Sequence, residues 1–494
     1  MESMRATSHG RRRLGVGLSL SLAAILVMTV VAPAGAVTVG AAWRAKIGSA
    51  GTNGAATMQA YTTGSGSLAL KLAKLRAATY LPVTLSKGTC ASVGSTLVTF
   101  PAIKTTSSGA AARTSSLTVA QVTKLKAATN GAGKIAIRIG SRTTGGVKCG
   151  VFAVLYVPIG IVVPSNWVPG EQARFQDALK ATGCGAQLLV SSDSATEMAA
   201  VETLISRGIK VLILTPQGSA AASAAADEAK AAGVRVIAND RQILDTVAVD
   251  YYVTFDSLAV GAAQAQYLID KAGATKGNNL YLYAGAASDN NTFGFLEGAW
   301  EKLQPRIADG TFVIRNSSLA VALQGKPTLT RDEESWIISQ VTTNWDPNTA
   351  RTVAVSNLFV ASAAEKGTVF ILAPNDNGAR AIADAFAADP AVMKSYVTGQ
   401  DADKASVQYI IDGRQGMTVF KDPRMRVKDA VAAAVAFLKG GAPAATTTFN
   451  NGVIDVPSKT SAIVTVTRDN VQAALIDSGY YRAGDFTGTW PGKP

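Results

Sequence analysis

From Pro158 onward, short apolar runs alternate with longer amphipathic segments. IGIVVP, AQLLVS, VLILTP and VRVIA form one series, and YYVTFD, NLYLYAG, VFILAP and SYVTG form a second. Segments of helical period, such as EQARFQDALKATG, follow these runs, and glycine stands at the helix ends, at Gly183, Gly208 and Gly233. Strands that alternate with helices build βαβ units. About 325 residues exceed one usual core, so we predict an α/β fold of two doubly wound parallel sheets joined by a hinge.

Polar residues stand at the ends of five of these apolar runs: Asp240-Arg241, Asp289-Asn290-Asn291, Asn375-Asp376, Gln400-Asp401 and Lys421. The carboxyl ends of parallel strands face one crevice, so these side chains are expected to converge on a single ligand. A neutral polyol suits them, because each hydroxyl both donates and accepts a hydrogen bond. The alternative for any one position is a helix N-cap or a turn.

Residues 37–153 have a different composition. They contain fourteen Lys and Arg residues and no Asp or Glu, so the net charge of +13 of the whole chain belongs to this region. The β-rich runs LPVTL, TLVTF, SSLTV and KIAIRIG, separated by Gly, Ser and Thr, predict a small all-β sandwich domain. Its charge favours an anionic wall polymer or lipid surface as a partner rather than nucleic acid, with solubility alone as the alternative.

The first 36 residues are typical of a targeting segment. Three arginines precede the apolar stretch LGVGLSLSLAAILVMTVV, and Ala34-Gly35-Ala36 supplies the small residues of a cleavage site. An uncleaved membrane anchor is the alternative, since the apolar stretch is near spanning length. We therefore expect an exported protein of the cell envelope or the extracellular space.

Export permits disulfides, and the chain has three cysteines. Cys90 and Cys149 both neighbour turn-forming glycine in the same region, and we predict that they pair. Cys184 stands between a helix end and a strand and is expected to be a buried thiol. The only histidine is His9, in the targeting segment. The rest of the chain therefore lacks the histidine that zinc sites and hydrolase triads usually use. No catalytic residue, metal or cofactor is expected.

Several segments carry a family resemblance over residues 157–483. AAGVRVIANDRQI, YYVTFDSLAVGAAQA, GAASDNNTFGFLEGA, NWDPNTA, TGQDADKASVQYIIDGRQGMTVFKD and NNGVIDVPSKT resemble the xylose and multiple-sugar periplasmic binding proteins. The resemblance implies a two-lobed type I periplasmic-binding-protein fold. It also implies a substrate-binding protein that captures a monosaccharide (xylose, glucose or a related aldose) and delivers it to an ABC transporter permease. The basic region resembles a chordin-type domain, without the metal-binding histidines of similar sandwiches.

The resemblance also implies site residues. Asp240, Arg241, Asn375, Asp401 and Lys421 would hold sugar hydroxyls, together with an asparagine of DNN, Asn291 in preference to Asn290. Trp345 matches the family tryptophan that stacks on the sugar ring, and Trp167 is its first-lobe counterpart, unless it is a surface aromatic. Trp300 is expected in the core. The family usually has Arg immediately before the first-lobe tryptophan, whereas this chain has Asn166, so a donor to the ligand is missing there.

The expected boundaries are a signal peptide at 1–36, the sandwich at 37–153 and the two-lobed domain at 154–494. Lobe 1 is predicted at about 157–255 and 422–452, and lobe 2 at about 256–421 and 453–483. Residues 316–344 are polar and poorly periodic and predict a long excursion of lobe 2.

Two other functions fit parts of the sequence. A glycosidase could use two carboxylates such as Asp240 and Asp401, but these have charged neighbours suited to keeping them ionised. A wall-associated sugar-binding adhesin would make the sandwich the primary domain, and a sugar sensor is a further alternative. The export signal disfavours a DNA-binding repressor.

Overall fold

The computed structural model describes residues 39–48, 51–61, 64–129, 134–144, 146–167, 170–180, 182 and 184–493. The predicted targeting segment, residues 1–36, lies outside these ranges. In the ranges described, no helix combines the length and apolar character needed to cross a bilayer.

The basic region forms two antiparallel sheets around one apolar core. The first sheet has the order β6-β3-β2-β1-β9, with strands β1 Val39–Ile47, β2 Gly54–Tyr61, β3 Gly66–Leu72, β6 Ala111–Leu117 and β9 Ala153–Tyr156. The second has the order β5-β4-β7-β8, with β4 Tyr80–Gly88, β5 Val93–Lys104, β7 Ile135–Ile139 and β8 Lys148–Val151. Alternate side chains of both sheets, such as Leu68 and Leu70 of β3 and Ile137 of β7, are buried in the same core. Period-two burial of this kind is that of a sandwich.

Two details of this region differ from the sequence prediction. The run SSLTV is not one strand, because β6 ends at Leu117 and a helix, α1 (Val119–Thr129), begins two residues later. Val122 and Leu125 of α1 enter the core, and this packing explains the helix. Strand β9 pairs with β1, so the sheet continues past the boundary predicted at residue 153. Cys90 and Cys149, the pair that the sequence favours, form a disulfide.

Lobe 1 is a seven-stranded sheet of order β11-β10-β12-β13-β14-β21-β20. Its strands are β10 Ile159–Pro164, β11 Ala186–Ser191, β12 Val211–Leu214, β13 Arg235–Asn239, β14 Tyr251–Phe255, β20 Thr447–Asn450 and β21 Asp455–Ser461. All neighbours are parallel except β20, which pairs antiparallel with β21 at the edge. Helices α3 Ser194–Ser206 and α4 Ser223–Ala231 cover one face, and α2 Gly170–Lys180 and α12 Pro423–Leu438 cover the other. Cys184 is buried with α2 and α12.

Lobe 2 has a four-stranded parallel sheet of order β16-β15-β17-β18. Its strands are β15 Asn278–Leu282, β16 Phe312–Ile314, β17 Gly367–Leu372 and β18 Val392–Val397. An antiparallel pair, β19 Thr418–Lys421 and β22 Ile463–Val466, joins this lobe through a bridge between Val419 and Gln400. Helices α5 Ser257–Ala272 and α6 Asn290–Ala308 pack on one face, and α9 Pro347–Val360 and α10 Asp376–Ala387 on the other. Helix α11, Lys404–Ile411, packs with the C-terminal segment, including Trp490.

The structure corrects two expectations for lobe 2. Residues 316–344 are not a long excursion. They form α7 (Ser318–Leu323) and α8 (Arg331–Val341), and three apolar residues of α8, Ile337, Ile338 and Val341, are buried. The segment from residue 453 does not go directly to lobe 2, because β21 pairs in parallel with β14 of lobe 1. The chain therefore crosses between the lobes after β14, after β19 and between β21 and β22.

Candidate ligand-binding site

A cleft of about 460 Å³ lies where the strand ends of the two lobes face each other. Its size is that of a pocket for a small organic ligand. Both lobes contribute side chains, and most of these are polar or aromatic. The lining consists of Asn166, Trp167, Glu171, Arg174, Asp240, Arg241, Phe255, Asp289, Asn291, Phe295, Trp345, Asn375, Asn377, Gln400, Asp401, Asp403, Lys421, Pro423, Arg426, Tyr480 and Tyr481.

Eight of the nine residues named from the sequence as ligand contacts line this cleft. They are Trp167, Asp240, Arg241, Asn291, Trp345, Asn375, Asp401 and Lys421. The ninth, Asn290, is not among the lining residues. Its Nδ2 donates to Oε1 of Gln242 at 2.9 Å, and its Oδ1 accepts from Nη2 of Arg331 at 2.7 Å. Asn290 is the first residue of α6 and its side chain is engaged by Gln242 and Arg331, so of the two neighbouring asparagines Asn291 lines the cleft and Asn290 does not.

Asp240 follows β13 directly and has a left-handed backbone, with φ of 67°. Asp tolerates this conformation better than most residues. Its carbonyl oxygen accepts from the hydroxyls of Tyr252 and Thr254, both at 2.8 Å, and from Nδ2 of Asn291 at 3.2 Å. With the backbone held in this way, the carboxylate lines the cleft, 3.4 Å from Nε of Arg426.

Arg241 joins the two lobes across the cleft. Its Nη1 donates to the carbonyls of Pro216 and Gln217 in lobe 1, at 3.1 and 2.9 Å. Its Nε lies 2.8 Å from Oδ2 of Asp289 in lobe 2. Burial raises the pKa of Asp289, and the Arg241 guanidinium opposes that rise. The positive charge of Arg241 thus offsets the cost of burying the Asp289 carboxylate.

The amides of lobe 2 are partly used by the protein itself. Asn375 caps α10, with its Oδ1 accepting from the amide of Gly378 at 3.0 Å, so its Nδ2 is the group left for a ligand. The N-cap and ligand interpretations of this residue are therefore compatible. Asn291 accepts from the Ser257 hydroxyl at 2.9 Å and donates to the carbonyl of Asp240. One amide hydrogen and one lone pair of Asn291 are left.

Asp401 and Lys421 form a second carboxylate–cation pair, with Nζ of Lys421 3.0 Å from Oδ1 of Asp401. Lys421 ends β19, at one of the crossings between lobes, and its ammonium lies 5.5 Å from the centre of the Phe295 ring. Asp401 has φ of 100° and nearly half of its side chain is exposed. Its carboxylate is thus open to the cleft while Lys421 balances its charge.

Trp167 and Trp345 place one indole from each lobe in the cleft lining. Trp167 follows β10, and the guanidinium carbons of Arg241 and Arg426 lie 5.6 and 5.3 Å from its ring centre. Trp345 lies edge-on to Phe295, with ring centres 6.3 Å apart. Trp300, by contrast, is buried in the lobe 2 core, as the sequence predicts.

Arg426, Glu171 and Arg174 were not identified from the sequence. Arg426 has only 2% of its side chain exposed, and its Nη2 donates to Oε1 of Glu171 at 2.9 Å. Burial lowers the pKa of Arg426, but Glu171 and Asp240 outweigh that effect and the net shift is upward. The sequence does contain one indication of Arg426. It lies among the buried apolar residues of α12, beside Val427 and Ala430, and an arginine there needs buried partners.

The comparison of the sequence with known proteins agrees with this architecture. Residues 159–442 match the family model described as a periplasmic binding protein domain. The multiple sugar-binding periplasmic receptor ChvE of Rhizobium radiobacter is 31% identical over 339 residues, a match covering 66% of this chain and 91% of the relative. The D-xylose-binding periplasmic protein of Escherichia coli K12 is 30% identical over 310 residues, covering 62% of this chain and 85% of the relative.

Among solved structures, a carbohydrate transporter solute-binding protein from Chloroflexus aurantiacus, in complex with D-glucose, is similar to this chain. The TM-score is 0.66 and the sequence identity is 62%, and the match covers 69% of this chain and 99% of that protein. These relatives are sugar-binding receptors and binding proteins rather than enzymes, and the Chloroflexus protein belongs to a carbohydrate transporter, which disfavours the glycosidase alternative. The chain belongs to the periplasmic binding protein family, with a fold of type I.

Proposed function

We propose that this protein captures a monosaccharide, an aldose such as D-glucose or D-xylose, between its two lobes and delivers it to the permease of an ABC importer. The observation that carries the proposal is the lining of the cleft, which pairs an indole from each lobe with two carboxylate–cation pairs. Apolar CH groups of a pyranose suit an aromatic face. Its hydroxyls suit a mixture of donors and acceptors.

In this proposal the carboxylates of Asp240 and Asp401 accept hydroxyl hydrogens, and Arg241 and Lys421 donate to ring or hydroxyl oxygens. Asn291 and Asn375 contribute their remaining amide hydrogens. Trp345 and Trp167 cover the two faces of the sugar. The glucose complex of the Chloroflexus protein and the names of the multiple-sugar and xylose relatives support an aldose as the ligand class.

Capture works through closure of the lobes. Each lobe alone offers only part of the hydrogen-bonding groups, so a sugar that touches both stabilises the closed state relative to the open one. The closed protein then presents both lobes to the permease in fixed relation, and opening there releases the sugar. This is hinge closure around a ligand, a common form of domain motion.

Tryptophan fluorescence tests capture directly, because two indoles line the cleft. Titration with D-glucose or D-xylose is expected to change the emission saturably at micromolar sugar. The Trp345→Phe variant should lose most of that change, whereas Trp336→Phe, on an exposed side chain of α8, should keep it. No saturable change with any aldose would contradict the proposal.

For the sandwich we propose, as a separate function, attachment to an anionic surface of the cell envelope after export. The supporting observation is a row of cations on the first sheet. Lys46 of β1 and Lys71 of β3 both pair with Ala55 of the strand between them, and Arg44 lies two residues from Lys46 on the same exposed face. The chordin-type identity of this domain is also a proposal, supported by the two antiparallel sheets and the Cys90–Cys149 disulfide.

Sedimentation with anionic wall polymer or anionic lipid vesicles tests this attachment. The chain from residue 37 should bind at low salt and dissociate as salt rises, because exposed charges are screened. Lys46→Glu combined with Lys71→Glu should weaken binding, while Lys302→Glu on α6 should not. Equal binding by both variants would rule out the row as the contact.

A further inference from the structure

The two lobes are joined at the rim of the cleft by a cluster that we call the rim clasp: Ser219 and Gln242 of lobe 1 with Ser288 and Asn290 of lobe 2. None of the four lines the cleft. Ser219 and Gln242 lie in the loops that follow β12 and β13, and Ser288 and Asn290 lie at the start of α6. The loop after β13 and the start of α6 also carry the cleft residues Asp240, Arg241 and Asn291, so the clasp lies beside the ligand pocket but outside it.

Three hydrogen bonds cross between the lobes in the clasp. The amide of Ser219 donates to the carbonyl of Ser288 at 2.9 Å. The amide of Asn290 donates to Oγ of Ser219 at 3.0 Å. Nδ2 of Asn290 donates to Oε1 of Gln242 at 2.9 Å. Ser219 and Gln242 are 2% and 4% exposed, so these bonds are shielded from water.

Each amide of the clasp is oriented by a partner in its own lobe. Gln242 donates from Nε2 to the carbonyl of Asn450 at 2.8 Å, which directs Oε1 at lobe 2. Asn290 accepts at Oδ1 from Arg331, which directs Nδ2 at lobe 1. Arg331 is itself stacked on Phe293, with its guanidinium carbon 3.1 Å from the ring centre. The bonds to Asn450 and Arg331 thus orient Oε1 of Gln242 and Nδ2 of Asn290 from within each lobe, independently of the contact between the lobes.

These bonds hold lobe 1 to lobe 2 in the arrangement of this structure, and their residues lie outside the cleft lining. We infer that Asn290, Gln242 and Ser219 are positioning residues for sugar capture, because they hold the closed lobes together. They would therefore change the affinity for every sugar without contacting any of them. Apparent affinity falls with the fraction of protein that is competent to bind, whatever the ligand. A clasp residue therefore differs from a contact residue in its effect on selectivity. The inference rests on the proposed sugar capture.

Affinity across a sugar panel separates the two roles. Gln242→Ala, Ser219→Ala and Asn290→Ala should each raise the Kd by about 3- to 10-fold, the effect of one lost hydrogen bond. The factor should be the same for D-glucose, D-xylose, D-galactose and their deoxy analogues, so the order of preference stays unchanged. Gln266→Ala removes an exposed amide that bonds only within α5 and serves as the matched control.

A designed disulfide tests closure without relying on the sugar. A Cβ built on Gly218 would lie 3.7 Å from Cβ of Ser288, within the range that a disulfide spans. The Gly218→Cys/Ser288→Cys pair leaves the three clasp bonds intact and should cross-link in mild oxidant, faster with bound sugar. Adding Gln242→Ala or Ser219→Ala should slow the cross-link several-fold, both with and without D-glucose.

The outcomes are distinct. If Asn290→Ala weakens one sugar of the panel much more than the others, Asn290 is a ligand contact and the clasp is wrong. Unchanged cross-linking in both added variants would also overturn it. If the wild-type protein binds no sugar, the proposed function fails, and the cross-linking rates without sugar still decide the clasp. Ser219→Ala removes only one hydroxyl, so it carries the test if Gln242→Ala does not fold.

Discussion

Gly285 and Trp345 approach each other so closely that a Cβ added to the glycine would lie 2.1 Å from Cζ2 of the indole. Trp345 also has a left-handed backbone, with φ of 61°, which is unusual for a bulky residue. The backbone of Trp345 and the contact with Phe295 hold the ring in place. The ring packs directly against Gly285, in space that any larger residue there would fill. A rigid aromatic wall is what stacking on a sugar requires, because the ring need not be ordered when the ligand arrives.

Gly285→Ala is therefore expected to displace the Trp345 ring. The Kd for D-glucose should rise by at least about 10-fold, since a stacked aromatic contact contributes about 1 kcal/mol or more and the ring also shapes the cleft. Calorimetric titration measures the change. Gly325→Ala, where an added Cβ meets nothing within 4 Å, is the control. Wild-type affinity in Gly285→Ala would show that Trp345 does not stack on the sugar.

Asp240→Asn should abolish tight binding. The substitution keeps the shape of the side chain but removes the charge that the cleft pairs with Arg426. Removing one member of a buried charged pair costs about 2 to 5 kcal/mol, or about 30- to 5,000-fold in Kd. Asp270→Asn, on the exposed surface of α5, should bind as the wild type does. Equal affinities of the two variants would remove Asp240 from the site.

Glu197 makes the stability of lobe 1 depend on pH. Burial raises its pKa to about 7, although the amide of Gln217 and the charge of Arg241 act in the opposite direction. The folded state keeps this proton up to about pH 7, whereas the unfolded chain releases it near the usual value of 4.5. The contribution of Glu197 to stability is thus full below about pH 4.5 and is lost as the pH rises towards 7.

Glu197→Gln should flatten this part of the pH profile. In urea unfolding, the free energy of the wild type should fall by up to roughly 3 kcal/mol more than that of the variant between pH 4.5 and pH 8. Glu202→Gln, on the exposed side of the same helix, should keep the wild-type slope. Parallel profiles for the wild type and Glu197→Gln would mean that Glu197 is ionised throughout this range.

The Cys90–Cys149 disulfide should stabilise the sandwich. The two cysteines are 59 residues apart in the sequence. Closing a loop of this length typically stabilises a fold by about 2 to 4 kcal/mol. Cys90→Ser with Cys149→Ser should lower the midpoint of the sandwich unfolding transition, followed by calorimetry on the whole chain. Sugar affinity should not change, since neither cysteine lines the cleft. An unchanged thermogram would show that the bond adds no stability.

The sequence predicts the residues that line the cleft better than it predicts the buried residues that hold them in place. Asp240, Asp401 and Lys421 stand next to apolar strands, and the topology of parallel sheets brings strand ends together. Arg426 could not be found in this way, because it lies inside a helix and acts through Glu171 and Asp240. Asn290 and Asn291 differ because adjacent residues at a helix start point in different directions, so that Asn291 lines the cleft and Asn290 lies at the rim.

Other differences have similar physical causes. The polar segment of residues 316–344 looks irregular, but Ile337, Ile338 and Val341 pack α8 against the lobe 2 core. Strand β21 is polar on one face, so its place beside β14 follows from pairing rather than from hydropathy. In both cases tertiary contacts decided a structure that the local pattern left open.

Sugar capture in the cleft can be measured by calorimetric titration of residues 37–494 with xylose, glucose, galactose, arabinose and ribose. We expect micromolar binding of one or two of these sugars, with one site per chain, and loss of that binding in Asp401→Ala. Absence of heat with all five, or binding that survives in Asp401→Ala and Asp240→Asn alike, would contradict sugar capture in this cleft.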